Sequence, residues 1–412
     1  MLDRGKSKLL IELFLIASIL LISTPALATS ETMLELLKIL RDNDSLSNSE
    51  CNLLYKTATA ENEQMKGIKQ LVKKEIKEEI VTINKNSEWT NKIKLNGDMR
   101  LRYEWKIKDG SEDRSRGRIR YHLAVITKPL DKLEVSVGLA SGGGDLRSTN
   151  QSFDITFSAK GINLDYVYYA QYKFNDNLVA ITGKFKRKPY LWQTTDLMWD
   201  SDINPEGLSV NYTSPNELGT TFVNGGLWVL EENSGSEDDP YMMFGQLGHK
   251  FSSGNVYGTV AGTYYSFSEL NALGDIVTDG SNTDYQFDSM SLSGEVGLKN
   301  AFGSGAEAAL FADFVKNTDT DTAADTGYSL GFKIGKSAWD FKYIYVDLEA
   351  NAWLDILPDS DRFDGLTGVD GHEFIFNYDL MKNLTFGLDY YNIDNALGVK
   401  QDVIQVDVLV KF

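Results

Sequence analysis

QDVIQVDVLVKF, residues 401–412, decides the fold because apolar and polar side chains alternate along it. One face carries Ile404, Val406, Val408, Val410 and Phe412, and the other carries Gln405, Asp407 and Lys411, with Leu409 as the exception. Such alternation is typical of a β-strand with one apolar and one polar face. An edge strand of a β-sandwich and a strand of a β-barrel both satisfy it, so the remaining sequence has to distinguish them.

The same period of two recurs from residue 90 onward. Residues 92–105, for example, place Leu101 and Tyr103 on an apolar outward face and Arg102 and Glu104 on a polar face. We count about sixteen such segments. So many antiparallel strands favour a barrel over a sandwich, because closure removes exposed sheet edges. The predicted fold is all-β, an antiparallel transmembrane β-barrel of about sixteen strands preceded by a short periplasmic α-helical segment.

The connections between the predicted strands alternate between short and long. Residues 129–132 and 336–337 are short turns, whereas residues 187–206 and 349–371 are long loops. Short turns on one side and long loops on the other are the plan of bacterial outer-membrane barrels. An even number of strands also places both ends of the barrel on the short-turn, periplasmic side.

Composition and charge exclude several other classes of protein. The 412 residues include 35 Gly, 20 Tyr and 20 Phe but only 7 Pro, which suits long strands joined by tight turns. The net charge of −18, with no separate basic region, argues against a nucleic-acid partner. The single cysteine, Cys51, and three widely separated histidines share no metal-ligand spacing. No cofactor is therefore predicted.

The N-terminal residues differ from the strand region. Residues 1–28 have a basic start, an apolar run and a small-residue cleavage pattern, which predicts a secretory signal peptide; a retained membrane anchor is the alternative. Residues 29–88 are predicted to form a periplasmic, coiled-coil-like helical segment. Its apolar stripe recurs at spacings of three and four, at Met65, Ile68, Val72, Ile76, Ile80 and Ile83. It is either a stalk or a hairpin folded on its own chain, and the barrel is predicted over 89–412.

Two stretches resemble a known family. WDSDINPEG (residues 199–207) and GHEFIFNY (residues 371–378), together with the signal, the helical segment and a terminal strand ending in Phe412, resemble the putative porins of Gram-negative outer membranes. The resemblance implies a general-porin-like barrel in the cell outer membrane, surrounded by lipid and lipopolysaccharide. It implies passive diffusion of small hydrophilic solutes and ions, and a homotrimer. The helical pattern of residues 31–85 makes them a candidate for contact with the periplasmic envelope. The alternative function is a structural tether or adhesin with a closed lumen.

Basic side chains share the parity of the polar, lumen-facing side of their strands. A ring of cations sets the charge preference of a pore. The candidate pore-lining residues of this kind are Arg100, Arg102, Arg116, Arg118, Arg120, Lys184 and Lys186. Salt bridges with Asp98, Glu104 and Glu134 inside a polar lumen are the alternative, and the two interpretations are compatible.

The long loop at residues 187–206 completes the predicted constriction. It carries Trp192, Leu197, Met198 and Trp199, which favour burial over exposure to water. Folding into the lumen would bury them and place the acidic candidates, Asp196, Asp200 and Asp202, opposite the arginines. A loop folded outward as a lid is the alternative. We predict no enzymatic activity, since no nucleophile motif accompanies His122, the one histidine predicted to face inward.

Overall fold

The computed structural model describes residues 92–412, except 155, 165–167, 236–237, 275–281, 285 and 320–322, together with scattered positions between 39 and 77. The chain divides into two units, Met1–Thr90 and Asn91–Phe412. The predicted signal peptide lies outside the described residues. The described positions from Ile39 to Lys77 are helical apart from Ser47, and the extent of the helical segment stays a prediction. Among the described residues, no helix has both the length and the apolar character needed to cross a membrane.

A single closed antiparallel sheet forms the second unit. It contains eighteen strands, of which Gln151–Ser152 and Ile162–Asn163 span only two residues each. The other sixteen are β1 (Ile93–Lys108), β2 (Arg114–Leu130), β3 (Leu133–Ser141), β4 (Tyr168–Lys173), β5 (Leu178–Lys184), β6 (Glu206–Asn216), β7 (Gly219–Val229), β8 (Tyr241–Ser253), β9 (Val256–Ser268), β10 (Asp288–Ala301), β11 (Ala306–Asn317), β12 (Thr326–Lys336), β13 (Trp339–Leu348), β14 (Val369–Met381), β15 (Leu384–Asn395) and β16 (Lys400–Lys411).

Each of these sixteen strands pairs with the next, and β16 pairs with β1, so the sheet closes on itself. The predicted barrel and its strand number are confirmed. The alternation also holds on the terminal strand, residues 401–412, from which the fold was predicted. On β16, Gln401, Gln405 and Asp407 are buried inside while Val408 is exposed outside. Closure pairs the backbone groups of every strand, which a lipid environment requires.

The seam between the first and last strands is closed by Phe412. The backbone N–H groups of Gly97 and Phe412 each donate to the other residue's carbonyl at 2.9 Å. The Phe412 ring also stacks on Tyr121, with the ring centroids 6.1 Å apart. A Cβ on Gly97 would lie 2.5 Å from this ring, so the residue has to be glycine for the ring to rest there.

The hydrophobic core lies inside the barrel, so the apolar face of β5 points inward, opposite to the orientation predicted from the sequence. Ile181 faces Ser209 of β6 across the sheet, and both side chains are buried in the lumen. Lys184 instead pairs with Glu206, with 3.0 Å between Nζ and Oε1, on the other face. The expected lumen position of Lys184 is therefore wrong. The reason is physical: this side of the lumen is filled by apolar side chains, so the apolar face of β5 turns inward.

We predict that Gly97→Val impairs assembly of the barrel. The added side chain would overlap the Phe412 ring and the carbonyl of His122, at 2.5 and 2.6 Å from Cβ. Overpacking of this kind costs about 1–3 kcal/mol. The fraction of folded barrel, measured by its heat-modifiable migration on gels, should fall.

Gly245→Val is the matched control. Gly245 is an outward glycine of β8, and a Cβ there would have no atom within 4 Å. Because valine favours strands, this variant should assemble like the unmodified protein. Equal assembly of both variants would contradict the role assigned to the seam.

Candidate functional site

Two long loops fold into the barrel. Inner loop A comprises residues 185–205 and inner loop B comprises residues 349–368. In loop A, the backbone N–H of Trp192 donates to Gln246 Oε1 of β8 at 2.9 Å. Further along, Thr194 and Thr195 donate four hydrogen bonds to the Asp313 carboxylate of β11. Gln246 and Asp313 are buried lumen-facing side chains, so loop A crosses the lumen from β5 to β11.

Aromatic packing holds the two loops in place. The Trp199 ring of loop A lies 5.4 Å from Trp228 of β7 and 5.6 Å from Trp353 of loop B, both edge to face. Trp353 in turn packs on Tyr265 of β9 at 4.9 Å. All four side chains are fully buried. Burial of each large apolar side chain stabilises the inward conformation by about 1.5–3 kcal/mol, which explains why the loops leave water.

Asp200 joins the two loops. Its backbone N–H donates to the carbonyl of Leu357 at 2.7 Å, and its carboxylate accepts from the N–H groups of Ser360 at 2.9 Å and Asp202 at 2.8 Å. Burial, with a smaller contribution from nearby Asp202, raises the pKa of Asp200 to about 7. This carboxyl therefore fastens loop A to loop B and does not face the arginines.

Loop B is anchored to the wall by Arg362. Its guanidinium donates to Glu373 of β14 from Nε at 3.2 Å and from Nη2 at 2.8 Å, and both side chains are buried. Asp359 of the same loop lies 3.6 Å from Nη2. A buried charge pair of this kind is costly to break, since the remaining charge has no counter-charge of equal proximity.

Charged side chains of β1, β2 and β16 form the opposite side of the lumen, which we call the charged wall. Arg102 binds Asp407 through two hydrogen bonds of 2.8 Å, and it reaches Asp361 of loop B at 3.3 Å. Arg116 and Arg118 share Glu104 at 2.6 and 3.0 Å.

The remaining two arginines of the charged wall have carboxylate neighbours as well. Arg120 lies 3.0 Å from Asp98, and Arg100 lies 3.7 Å from Asp407. All five predicted arginines are thus within 4 Å of a carboxylate. Asp98 and Glu104 are the partners expected from the sequence. Glu134 instead accepts a hydrogen bond from the Tyr169 hydroxyl at 2.8 Å.

The structure separates the three aspartates predicted to oppose this wall. Asp202 lies 3.9 Å from Arg120 of the charged wall, and it also accepts hydrogen bonds from Thr149. Asp200 instead forms the contact between loops A and B, and Asp196 lies near Arg187 of its own loop. The acidic partner that sequence reasoning missed is Asp361, whose distance of 259 residues from Arg102 gives no local signal.

Two polar cavities flank the charged wall. One, of about 250 Å³, is lined by Asp98, Arg120, His122, Thr149, Lys186, Arg187, Lys188, Ser201, Asp202 and Asn204, and we call it the lysine cavity. The other, of about 270 Å³, includes Glu104, Arg116, Arg118, Arg147 and Asp361. Arg120 lines the lysine cavity and Arg118 lines the second cavity. The two arginines are two residues apart on β2. Among the described residues, no group of three acidic, histidine or cysteine side chains is placed to hold a metal ion.

Replacing Glu373 by Gln should loosen loop B. The substitution removes the carboxylate 2.8 Å from Arg362, which costs about 3–5 kcal/mol for a buried pair. Trypsin cleaves after arginine, so cleavage following Arg362 in the folded, solubilised protein measures the release of the loop. The variant should be cut where the unmodified protein resists.

Asp394→Asn is the control, because it removes the exposed ion pair with Lys400, whose atoms are 3.4 Å apart. Exposed pairs contribute little, so trypsin resistance should be unchanged. Resistance of Glu373→Gln equal to that of this control would refute the anchoring role of Arg362.

Comparison with known proteins shows similarity both in sequence and in fold. Residues 104–291 match a family described as "Putative porin". The high-pH structure of OprB from Pseudomonas putida has a TM-score of 0.55 at 13% identity, covering 79% of this chain and 96% of that chain. Its low-pH structure gives 0.51 at 12%, covering 80% and 96%. A mutant porin of Rhodopseudomonas blastica gives 0.44 at 11%, covering 78% and 100%. No curated protein sequence matches the chain.

Proposed function

We infer that this chain is an outer-membrane porin, a barrel through which small hydrophilic solutes and ions diffuse passively. The inference rests on the match of residues 104–291 to the putative-porin family and on the closed sixteen-strand barrel that contains these residues. The observation that carries the inference is the pair of polar cavities beside the charged wall. These cavities lie inside the barrel and are lined almost wholly by charged and neutral polar side chains. Such a lining suits hydrated solutes.

The outer surface of the barrel fits a membrane. Large apolar side chains such as Leu101, Tyr103 and Trp105 are exposed on the face of β1 that points away from the lumen. A row of this kind on every strand is typical of outer-membrane barrels, where it contacts lipid. The barrel is therefore located in the outer membrane. We further propose contact with lipopolysaccharide, a periplasmic position for residues 29–88 and assembly as a homotrimer.

The charged wall supports a pore of mild ionic preference. The arginines Arg100, Arg102, Arg116, Arg118 and Arg120 alternate with carboxylates, so their field is local and changes sign over a few ångströms. With Lys186 and Asp202, they are the residues we propose to line the constriction. Asp196 and Asp200 act on it through loop A.

The fold and family indicate a channel, and we propose no catalytic activity. His122 is the histidine nearest to a candidate site, but its ring nitrogens hydrogen-bond Asp98 at 3.1 Å and Thr149 at 2.9 Å. The competing function is a structural tether in which the helical segment, residues 31–85, binds another component of the cell envelope. Nothing in the comparisons favours this function. A tether needs no open passage, and conductance separates the two.

A cysteine at Ser201 tests the passage. Ser201 is exposed and lines the lysine cavity, so a charged thiol reagent attached to Ser201→Cys should obstruct ion flow. We expect open channels in a planar bilayer and an irreversible fall in their conductance on addition of the reagent. Cys51 is replaced by Ser in every protein used, which leaves one thiol to label.

Ser111→Cys is the matched control. Ser111 is exposed in the turn between β1 and β2, outside the lumen cavities, so labelling there should leave conductance unchanged. Absence of any conductance from correctly folded protein would reject the porin function. Equal effects of labelling at both positions would place the passage elsewhere.

A further inference from the structure

The lysine cavity has a composition that the passive-pore function does not require. Four basic side chains, Arg120, Lys186, Arg187 and Lys188, converge on it from β2 and loop A. Only two carboxylates, Asp98 and Asp202, line the same space. In a chain whose net charge is −18, such a local excess of positive charge is a specific feature of this cavity.

Arg187 shows that the cations are not all consumed by internal contacts. Its guanidinium is buried, and Nη2 donates to the carbonyls of Trp199 and Asp200 at 3.3 and 3.2 Å. Among the atoms that the structure describes, its Nε and Nη1 have no hydrogen-bond partner. A buried guanidinium with unmet donors costs free energy, and its positive charge favours an anion in the adjoining cavity.

Both carboxylates that line the cavity lie within 4 Å of Arg120, Asp98 at 3.0 Å and Asp202 at 3.9 Å. Asp98 accepts from Arg120 at 3.0 Å and hydrogen-bonds His122 at 3.1 Å, while Asp202 accepts from Thr149. Asp196 and Asp313 act electrostatically on Arg187 and Lys188, but neither lines the cavity. Asp313 is occupied by hydrogen bonds from Thr194 and Thr195.

We propose that the lysine cavity is a binding site for a small oxyanion, a carboxylate or a phosphate, within the passage. This rests on the proposed porin function and adds a solute class to it. Lys186 and Lys188 line the cavity and supply ammonium groups. Arg120 and Arg187 supply planar donors, and the Ser201 and Asn204 side chains supply neutral ones. About 250 Å³ accommodates an ion of this size.

The test uses saturable block of the chloride current. Sodium phosphate in one arm and sodium acetate in the other are added to single channels in potassium chloride, at constant ionic strength. An oxyanion that binds in the passage should reduce the current in a saturable way, which defines a half-blocking concentration. Comparison of the two arms identifies whether phosphate, carboxylate or both bind. A current that neither salt reduces would overturn the proposal while leaving the porin function intact.

The double variant Lys186→Gln/Lys188→Gln locates the site. Loss of two charge-assisted contacts should raise the half-blocking concentration about tenfold or more. Lys299→Gln/Lys336→Gln is the matched control, since it makes the same change of charge at lysines that line a different cavity. It should shift the block less than about twofold. Equal shifts would mean that net charge, not this cavity, governs the block.

Calorimetry keeps the proposal testable if the channel does not conduct. Phosphate or acetate titrated into the folded, detergent-solubilised protein should bind, and the Lys186→Gln/Lys188→Gln variant should bind about tenfold more weakly. No binding by the unmodified protein would refute the oxyanion site. Binding without conductance would retain the site and reject the porin function.

Discussion

Packing of Trp199 against Trp228 and Trp353 inside the barrel determines the rest of the lumen. A barrel of sixteen strands encloses more space than its own side chains fill. Here the apolar side of that space is filled by loops A and B, which bury their tryptophans against inward aromatic side chains of β7 and β9. Two polar cavities remain beside the charged wall.

Apolar packing and ion pairing have separate roles on the two sides of the lumen. The apolar side supplies stability, because it removes large aromatic side chains from water. The charged side is where we propose that solute preference arises, and each of its arginines lies within 4 Å of a carboxylate. Loop B connects the two sides, since Arg362 fastens it at Glu373 while Asp361 reaches Arg102. A change in the position of loop B would therefore alter the ion pairs of the charged wall.

The sequence predicts the barrel well because alternation is a local property. The inward Arg102 and Glu104 and the outward Leu101 and Tyr103 of β1 follow directly from it. The prediction fails at β5, where Ile181 rather than Lys184 faces the lumen. A polar-in, apolar-out rule assumes a water-filled interior, and it reverses wherever a loop makes the interior apolar. Strand alternation alone cannot show which strands a loop will cover.

Pairing within the site is harder to predict, because it depends on contacts between distant segments. Arg102 and Asp407 are 305 residues apart and meet only because β1 and β16 close the barrel in one register. Asp200 carries the same local signal as Asp202, yet one joins two loops and the other reaches Arg120. The run of basic residues at 186–188 was visible in the sequence, but its convergence on one cavity required the course of loop A.

The most direct test of a passage confined to the charged wall is exclusion of polymers of graded size from the open channel. Channel conductance is measured with neutral polyethylene glycols of increasing length on both sides. A polymer that enters the passage lowers the conductance, and one that is excluded leaves it unchanged. The account predicts exclusion of all but the smallest glycols. Entry of large glycols would mean that the loops do not fill the lumen, which would contradict it.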